Sequence, residues 1–80
     1  MYFVYAINSL SRNYTYIGLS DNVERRLDEY NKGKNKTTKP YRPFKLFYTE
    51  KFETRTEARQ KEKYLKSGIG REYLKRIRTI

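Results

Sequence analysis

Five side chains in this sequence have types and spacings that packing does not call for: Tyr5, Tyr16, Arg26, Tyr30 and Glu62. Three phenols, a permanent cation and a carboxylate suit one kind of chemistry. Hydrolysis of a phosphodiester needs an activated water, positive charge against the phosphoryl oxygens and stabilisation of the leaving oxygen. Glu62 is of the type that holds a divalent cation and leaves the remaining positions to water and phosphate, and Arg26 is suited to clamp equatorial oxygens. A tyrosine close to both cations is expected to have its pKa lowered from about 10. The plainer readings are an aromatic pair across two strands and a salt bridge from Glu62 to Arg26 or a nearby lysine.

The elements that would position these groups follow from periodicity. Tyr2 to Asn8 is β-branched or aromatic almost throughout, the pattern of a strand covered on both faces, with Phe3, Tyr5 and Ile7 on one side and Tyr2, Val4 and Ala6 on the other. Ser9 to Arg12 has the length of a hairpin loop, and Tyr14 to Leu19 is the second strand. If Asn8 faces Asn13, paired numbers sum to 21 and Tyr5 lies opposite Tyr16, with Cβ atoms roughly 5 Å apart. Gly18 ends this strand, either as a plain turn residue or as a point where no side chain blocks the approach of another backbone.

Asp21 with Glu24 reads as a capping pair for a helix whose apolar stripe is Val23, Leu27 and Tyr30, with Arg26 one turn before Tyr30 and Gly33 as the stop. Asp28 and Glu29 are expected to point away from that stripe. From residue 32 to 42 runs a basic loop carrying Lys32, Lys34, Lys36, Lys39 and Arg42, with Tyr41 free to stack on a base. Phe44 to Thr49 is a third strand that alternates Phe44, Leu46 and Tyr48 against Lys45 and Phe47. Thr54 and Glu57 form a capping box for a second helix on which Glu62 sits in the apolar stripe between Ala58 and Leu65. A carboxylate placed there costs several kcal/mol, at roughly the scale of a buried charge, unless it is paired or binds a metal. Gly68 and Gly70 break this helix, and Arg71 to Ile77 is a short third one with Leu74 and Ile77 inward and Lys75, Arg76 and Arg78 outward.

Composition narrows the function further. Eighty residues with no repeat or boundary read as one domain, 1–80. The absence of Cys and His excludes a disulfide framework, a Cys-based zinc site and a histidine general base, so a metal would be held by oxygen, which favours Mg2+ or Mn2+. Nineteen Lys and Arg against nine Asp and Glu leave a formal charge of +10, which makes nucleic acid the leading partner. DNA is expected, RNA remains open, and a dimer or protein partner is allowed. Neither haem nor a nucleotide cofactor is expected. The apolar cluster Tyr2 to Ile7 is too short for a signal or a membrane span, so the expected location is cytoplasmic.

Val4-Tyr5, Tyr16-Ile17-Gly18, ERRLDEYN around Arg26 and TEARQKEKYLK around Glu62 occur in an order, over nearly the whole chain, that resembles the GIY-YIG nucleases. The likeness is strongest to the small stand-alone bacterial branch related to the nuclease domain of the excision-repair incision subunit. It implies an α+β fold, a three-stranded antiparallel sheet flanked by helices in the order β-β-α-β-α-α, and one-metal hydrolysis of DNA. It further implies Tyr5 as general base or its positioning partner, Tyr16 as a water or phosphate ligand, Arg26 as transition-state clamp and Glu62 as sole protein ligand of the metal. Many members have histidine where this chain has Tyr30, whereas the repair-type branch has tyrosine there. Val4 and Phe3 depart from the first signature. The expectation is a metal-dependent endonuclease, structure-directed or weakly sequence-specific; the alternative is a basic nucleic-acid-binding module on the same fold without turnover.

Overall fold

The continuous apolar run at the N-terminus becomes β1 (Tyr2–Ser9), the central strand of a three-stranded antiparallel sheet ordered β2-β1-β3, with β2 at Thr15–Ser20 and β3 at Phe44–Phe52. The computed structural model describes residues 1–78. Helix α1 (Val23–Asn31) lies between β2 and β3 in sequence, and α2 (Arg55–Lys66) and α3 (Gly68–Arg78) follow, so the order is β-β-α-β-α-α and the class α+β.

Alternation along β1 divides the core into two layers. Val4 and Ala6 pack with Ile17, Ala58, Leu65 and Leu74, the layer covered by α2 and α3. Tyr5 and Ile7 pack with Tyr30 and Phe44, the layer covered by α1. Every β1 side chain from Val4 to Ile7 is at most 1% exposed, as a strand covered on both faces requires. Burying a side chain the size of Val4 or Ile7 contributes about 1.5–3 kcal/mol relative to leaving it in water.

The hairpin register differs from expectation. Tyr5 pairs with Gly18 and Ile7 with Tyr16, so paired numbers sum to 23, not 21. The loop determines this: Ser9 N–H donates to Tyr14 O at 2.9 Å, and the Ser9 hydroxyl accepts from the N–H groups of Ser11 (3.2 Å) and Arg12 (3.0 Å). A side chain organising its own turn tightens the loop around residues 10–14 and displaces β2 by two residues. Because the displacement is even, every side chain keeps its face. Tyr5 and Tyr16 therefore share the α1 layer, as diagonal neighbours and not as a facing pair.

Three boundaries also move. β3 continues to Phe52, and a bulge opposite Ala6/Ile7 places Phe47 out of register, so Tyr48 turns to the α2 layer while Phe44 and Leu46 stay in the α1 layer. The cap of α1 is Asn22, not Asp21: its side chain accepts the Arg25 N–H at 3.0 Å, while Asp21 makes an exposed ion pair with Arg25 at 3.3 Å. Helix α3 begins at Gly68, with Ser67 as the break, since Gly70 is needed for close packing and not for a turn. A Cβ on Gly70 would lie 2.8 Å from the Leu65 carbonyl carbon. Thr54 and Glu57 form the expected capping box at the start of α2.

Candidate active site

Tyr5, on the central strand, is 1% exposed, and its ring lies over the bare backbone of Gly18. A Cβ at residue 18 would stand 2.6 Å from Tyr5 Cζ, so the glycine is required by the phenol and the space expected to admit another backbone is already filled. Tyr5 Oη shares a 3.2 Å hydrogen bond with Tyr30 Oη, which descends from α1 and is 2% exposed. Arg26, one turn earlier on α1, donates from Nη2 to Tyr30 Oη at 3.2 Å and lies with Cζ 5.2 Å from the centre of the Tyr30 ring. Tyr16 packs its ring 5.2 Å from that of Tyr30, on the same side of the sheet. Four of the five expected residues thus form one cluster.

Glu62 stands at one remove. Its side chain is 12% exposed, and its carboxylate pairs with Lys66 Nζ at 3.2 Å and Arg59 Nη1 at 3.8 Å, not with Arg26. Arg26 takes Glu29 as its carboxylate partner at 2.9 Å, so Glu29 does not point away from the site as its place off the apolar stripe implied. Lys66 joins the two halves, since it lines the same cleft as Tyr16 and acts electrostatically on the Tyr16 phenol. Lys66 meets the plainer expectation of a nearby lysine partner for Glu62, though sequence reasoning did not single it out, and Glu29 was assigned by it to the wrong side. Both were within reach of it, as Lys66 is i+4 from Glu62 and Glu29 is i+3 from Arg26.

The electrostatics of the phenols run opposite to expectation. The Tyr16 pKa is raised, first by its polar contact with the Tyr30 hydroxyl and then by burial, and the lowering influence of Lys66 and Arg26 does not overcome these. Tyr30 is raised chiefly by burial and by Tyr5. Arg26 is held still more firmly as a cation, chiefly through the Tyr5 hydroxyl and against the effect of burial. Near neutral pH, Tyr16 and Tyr30 are therefore neutral hydrogen-bonding groups beside a permanent positive charge.

The basic loop is folded. Thr38 is fully buried, residues Lys39–Tyr41 make a single 3₁₀ turn, and the Ser9 hydroxyl donates to the Tyr41 carbonyl. Tyr41 is stacked on Tyr14 with ring centres 4.1 Å apart and planes 17° from parallel, and Arg12 lies over its ring. This stack accounts for Tyr41 internally, in place of a base. Lys32 pairs with Asp28 at 2.9 Å, and Arg42 packs beside Gly33, whose φ of +75° ends α1. Lys34 and Lys36 remain beside the cluster and, with Asn35, border a small cleft of about 340 Å3 whose lining also includes Arg26, Glu29 and Tyr30.

Among the described residues no group of three or more acidic, histidine or cysteine side chains could cage a metal. The donor chemistry fits a single hard cation on one carboxylate, with water and substrate oxygen completing its shell. Glu62 is well placed for this because its present partners are long side chains, 50% and 61% exposed for Lys66 and Arg59, whose pairing is worth roughly 0–1 kcal/mol and is readily exchanged.

Comparison with known proteins gives the family to which this fold belongs. The profile described as the GIY-YIG catalytic domain matches residues 1–74, and the chain belongs to that family, which is one of nucleases that generally use a divalent metal. It is 46% identical over 52 residues to a UPF0213 protein of Bacillus licheniformis, a match covering 64% of this chain and 54% of that protein, so it spans about half the length of that relative. A UPF0213 protein of Staphylococcus haemolyticus is 39% identical over 81% of this chain and 80% of its own length. One of Staphylococcus aureus is 33% identical over 96% and 94%, respectively. The solution NMR structure of a UPF0213 protein from Bacillus halodurans superposes with a TM-score of 0.55 at 31% identity, covering 92% of this chain and 82% of that one. No helix among the described residues is long and apolar enough to cross a membrane.

Proposed function

We propose that the chain is a single-domain, metal-dependent endonuclease that hydrolyses DNA phosphodiester bonds with little sequence preference of its own. The observation that carries this reading is the hydrogen-bonded relay Tyr5–Tyr30–Arg26, set against Tyr16 and, through Lys66, against Glu62. A core seeking only apolar contact has no use for three buried or half-buried phenols converging on a guanidinium.

Burial supports the following roles. Tyr5 and Tyr30 are nearly sealed from solvent, so they act as positioning residues that hold the Arg26 guanidinium. Arg26 faces the open side with part of its fork free, placed to bind the phosphoryl oxygens as charge builds on them. Tyr16 is half-buried and protonated, and its hydroxyl orients the attacking water or a phosphate oxygen by donating to it. Glu62 would hold Mg2+ or Mn2+, which when bound supplies Lewis acidity to the phosphoryl group. Lys34 and Lys36 neutralise phosphates flanking the cut.

The test is a cleavage assay on matched duplex, flap, junction and RNA substrates with Mg2+, Mn2+ or EDTA. Metal-dependent cutting of branched DNA is expected. Binding of every substrate with no product under either metal would replace this reading with that of a non-catalytic binding module.

A further inference from the structure

A cleft of about 510 Å3 opens where the free edge of β2 meets α3 and the end of α2. Lys66, Arg71, Lys75 and Arg78 line it together with Tyr14 and Tyr16, and among the described residues no Asp or Glu does. The positive charge is arranged by the helix. Arg71, Lys75 and Arg78 recur at i, i+4 and i+7 and so share one face of α3, the face turned to β2; Lys75 and Arg78 are thus cleft residues and not simply an outward surface. Their direction is held from both ends. Leu74, 3% exposed, and Gly70, pressed against Leu65, anchor α3 to α2, while Arg78 Nη1 donates to Thr15 Oγ1 at 2.9 Å and to Asn8 Oδ1 at 3.2 Å. Arg71 and Lys75 are exposed between these anchors.

We propose that this cleft carries the phosphate backbone of the DNA strand that continues past Tyr16, with Arg71 and Lys75 as phosphate contacts and Arg78 as the brace that holds α3 to the β2 edge. The inference rests on the nuclease reading of the same site and adds the path of the substrate. Seven residues of α3 rise about 10 Å, enough to follow roughly three phosphates along one strand. The edge strand can contribute as well, because the sheet order β2-β1-β3 leaves N–H groups along the outer edge of β2 without a strand partner. Of the positive surfaces beside Tyr16, this one has no Asp or Glu in its lining among the described residues, whereas the Arg26 side includes Glu29. Positive charge on both flanks of the phenol cluster would let a strand run through the site and not merely touch it.

The test measures binding of a fluorescein-labelled branched DNA in metal-free buffer, as log affinity against log salt, for wild type and for the double variant Arg71→Gln/Lys75→Gln. The expected slope is shallower by about 1.8 where the contacted arm is duplex and by about 1.4 where it is single-stranded. An unchanged slope overturns the proposal. The single variant Lys75→Ala, expected to lose about half of that difference, serves if the double variant does not fold. Shortening one arm beyond the branch should lower the wild-type slope and leave the double variant unaffected; equal loss in both proteins places the strand elsewhere. Because no turnover is read, a chain that never cuts but shows the slope change fails the nuclease reading alone. One that cuts with an unaltered slope fails the cleft.

Discussion

Gly18→Ala isolates the packing that holds the phenol cluster. In wild type the added methyl would lie 2.6 Å from Tyr5 Cζ and 3.0 Å from its Cε1, well inside contact distance. Neither group can easily yield: Gly18 is in the β1–β2 ladder opposite Tyr5, and the Tyr5 ring is 1% exposed and bonded to Tyr30. Overpacking of this kind costs about 1–3 kcal/mol, and loss of the buried Tyr5–Tyr30 hydrogen bond adds about 1, so roughly 2–4 kcal/mol is expected. In a domain of this size that corresponds to a fall in Tm on the order of 10–25 °C by circular dichroism. A double-mutant cycle makes the cause explicit. Tyr5→Leu removes the ring atoms that the methyl meets, so in that background Gly18→Ala is expected to cost less than about 0.5 kcal/mol. An equal cost in both backgrounds, or a wild-type Tm in Gly18→Ala, would refute the steric argument and with it the role given to Gly18.

Arg26→Ala should lower the single-turnover cleavage rate by more than it weakens DNA binding, because its interaction strengthens as charge develops; equal losses would make it a phosphate anchor only. Tyr14, Tyr16, Tyr30 and Tyr48 are all raised above the ordinary tyrosine value, so between about pH 10 and their folded values the unfolded chain releases protons that the folded chain keeps. Stability should be complete below pH 10 and fall as pH rises beyond it, and Tyr30→Phe should flatten that fall; melting curves from pH 8 to 11.5 check both, and a flat wild-type profile would contradict the burial of these phenols. Asn22→Ala should destabilise by about 0.5–2 kcal/mol through loss of the α1 cap, while Asp21→Ala, at an exposed pair, should change Tm little.

Much of this architecture was legible in the residues. The unbroken apolar run of β1 announced a strand buried on both sides, and the stripe of Val23, Leu27 and Tyr30 announced a helix with Arg26 beside its phenol. What escaped reading depended on local contacts that periodicity does not carry. The Ser9 side chain resets the hairpin register, and the bulge at Phe47 turns Tyr48 to the other layer. Tyr41 looked available because no nearby residue in sequence claims it; its partner, Tyr14, lies 27 positions away and meets it only through the fold. The direction of the phenol shifts was also hidden, since contact among Tyr5, Tyr16 and Tyr30 outweighs the cations beside them. Glu62 was recognisable as an acid in an apolar stripe, but its link to the cluster through Lys66 required the way α2 meets the β2 edge.

The most direct measurement of the central claim is a paired assay of Glu62→Ala against wild type on one branched DNA, reading equilibrium binding without metal and single-turnover cleavage with Mg2+ and with Mn2+. Metal-dependent cleavage by wild type is expected and, in the variant, binding within about twofold of wild type with cleavage reduced at least about a hundredfold, a loss of nearly 3 kcal/mol of transition-state stabilisation. Cleavage that survives in Glu62→Ala at the wild-type rate, or a wild type that binds the DNA and never cuts it, would contradict that claim.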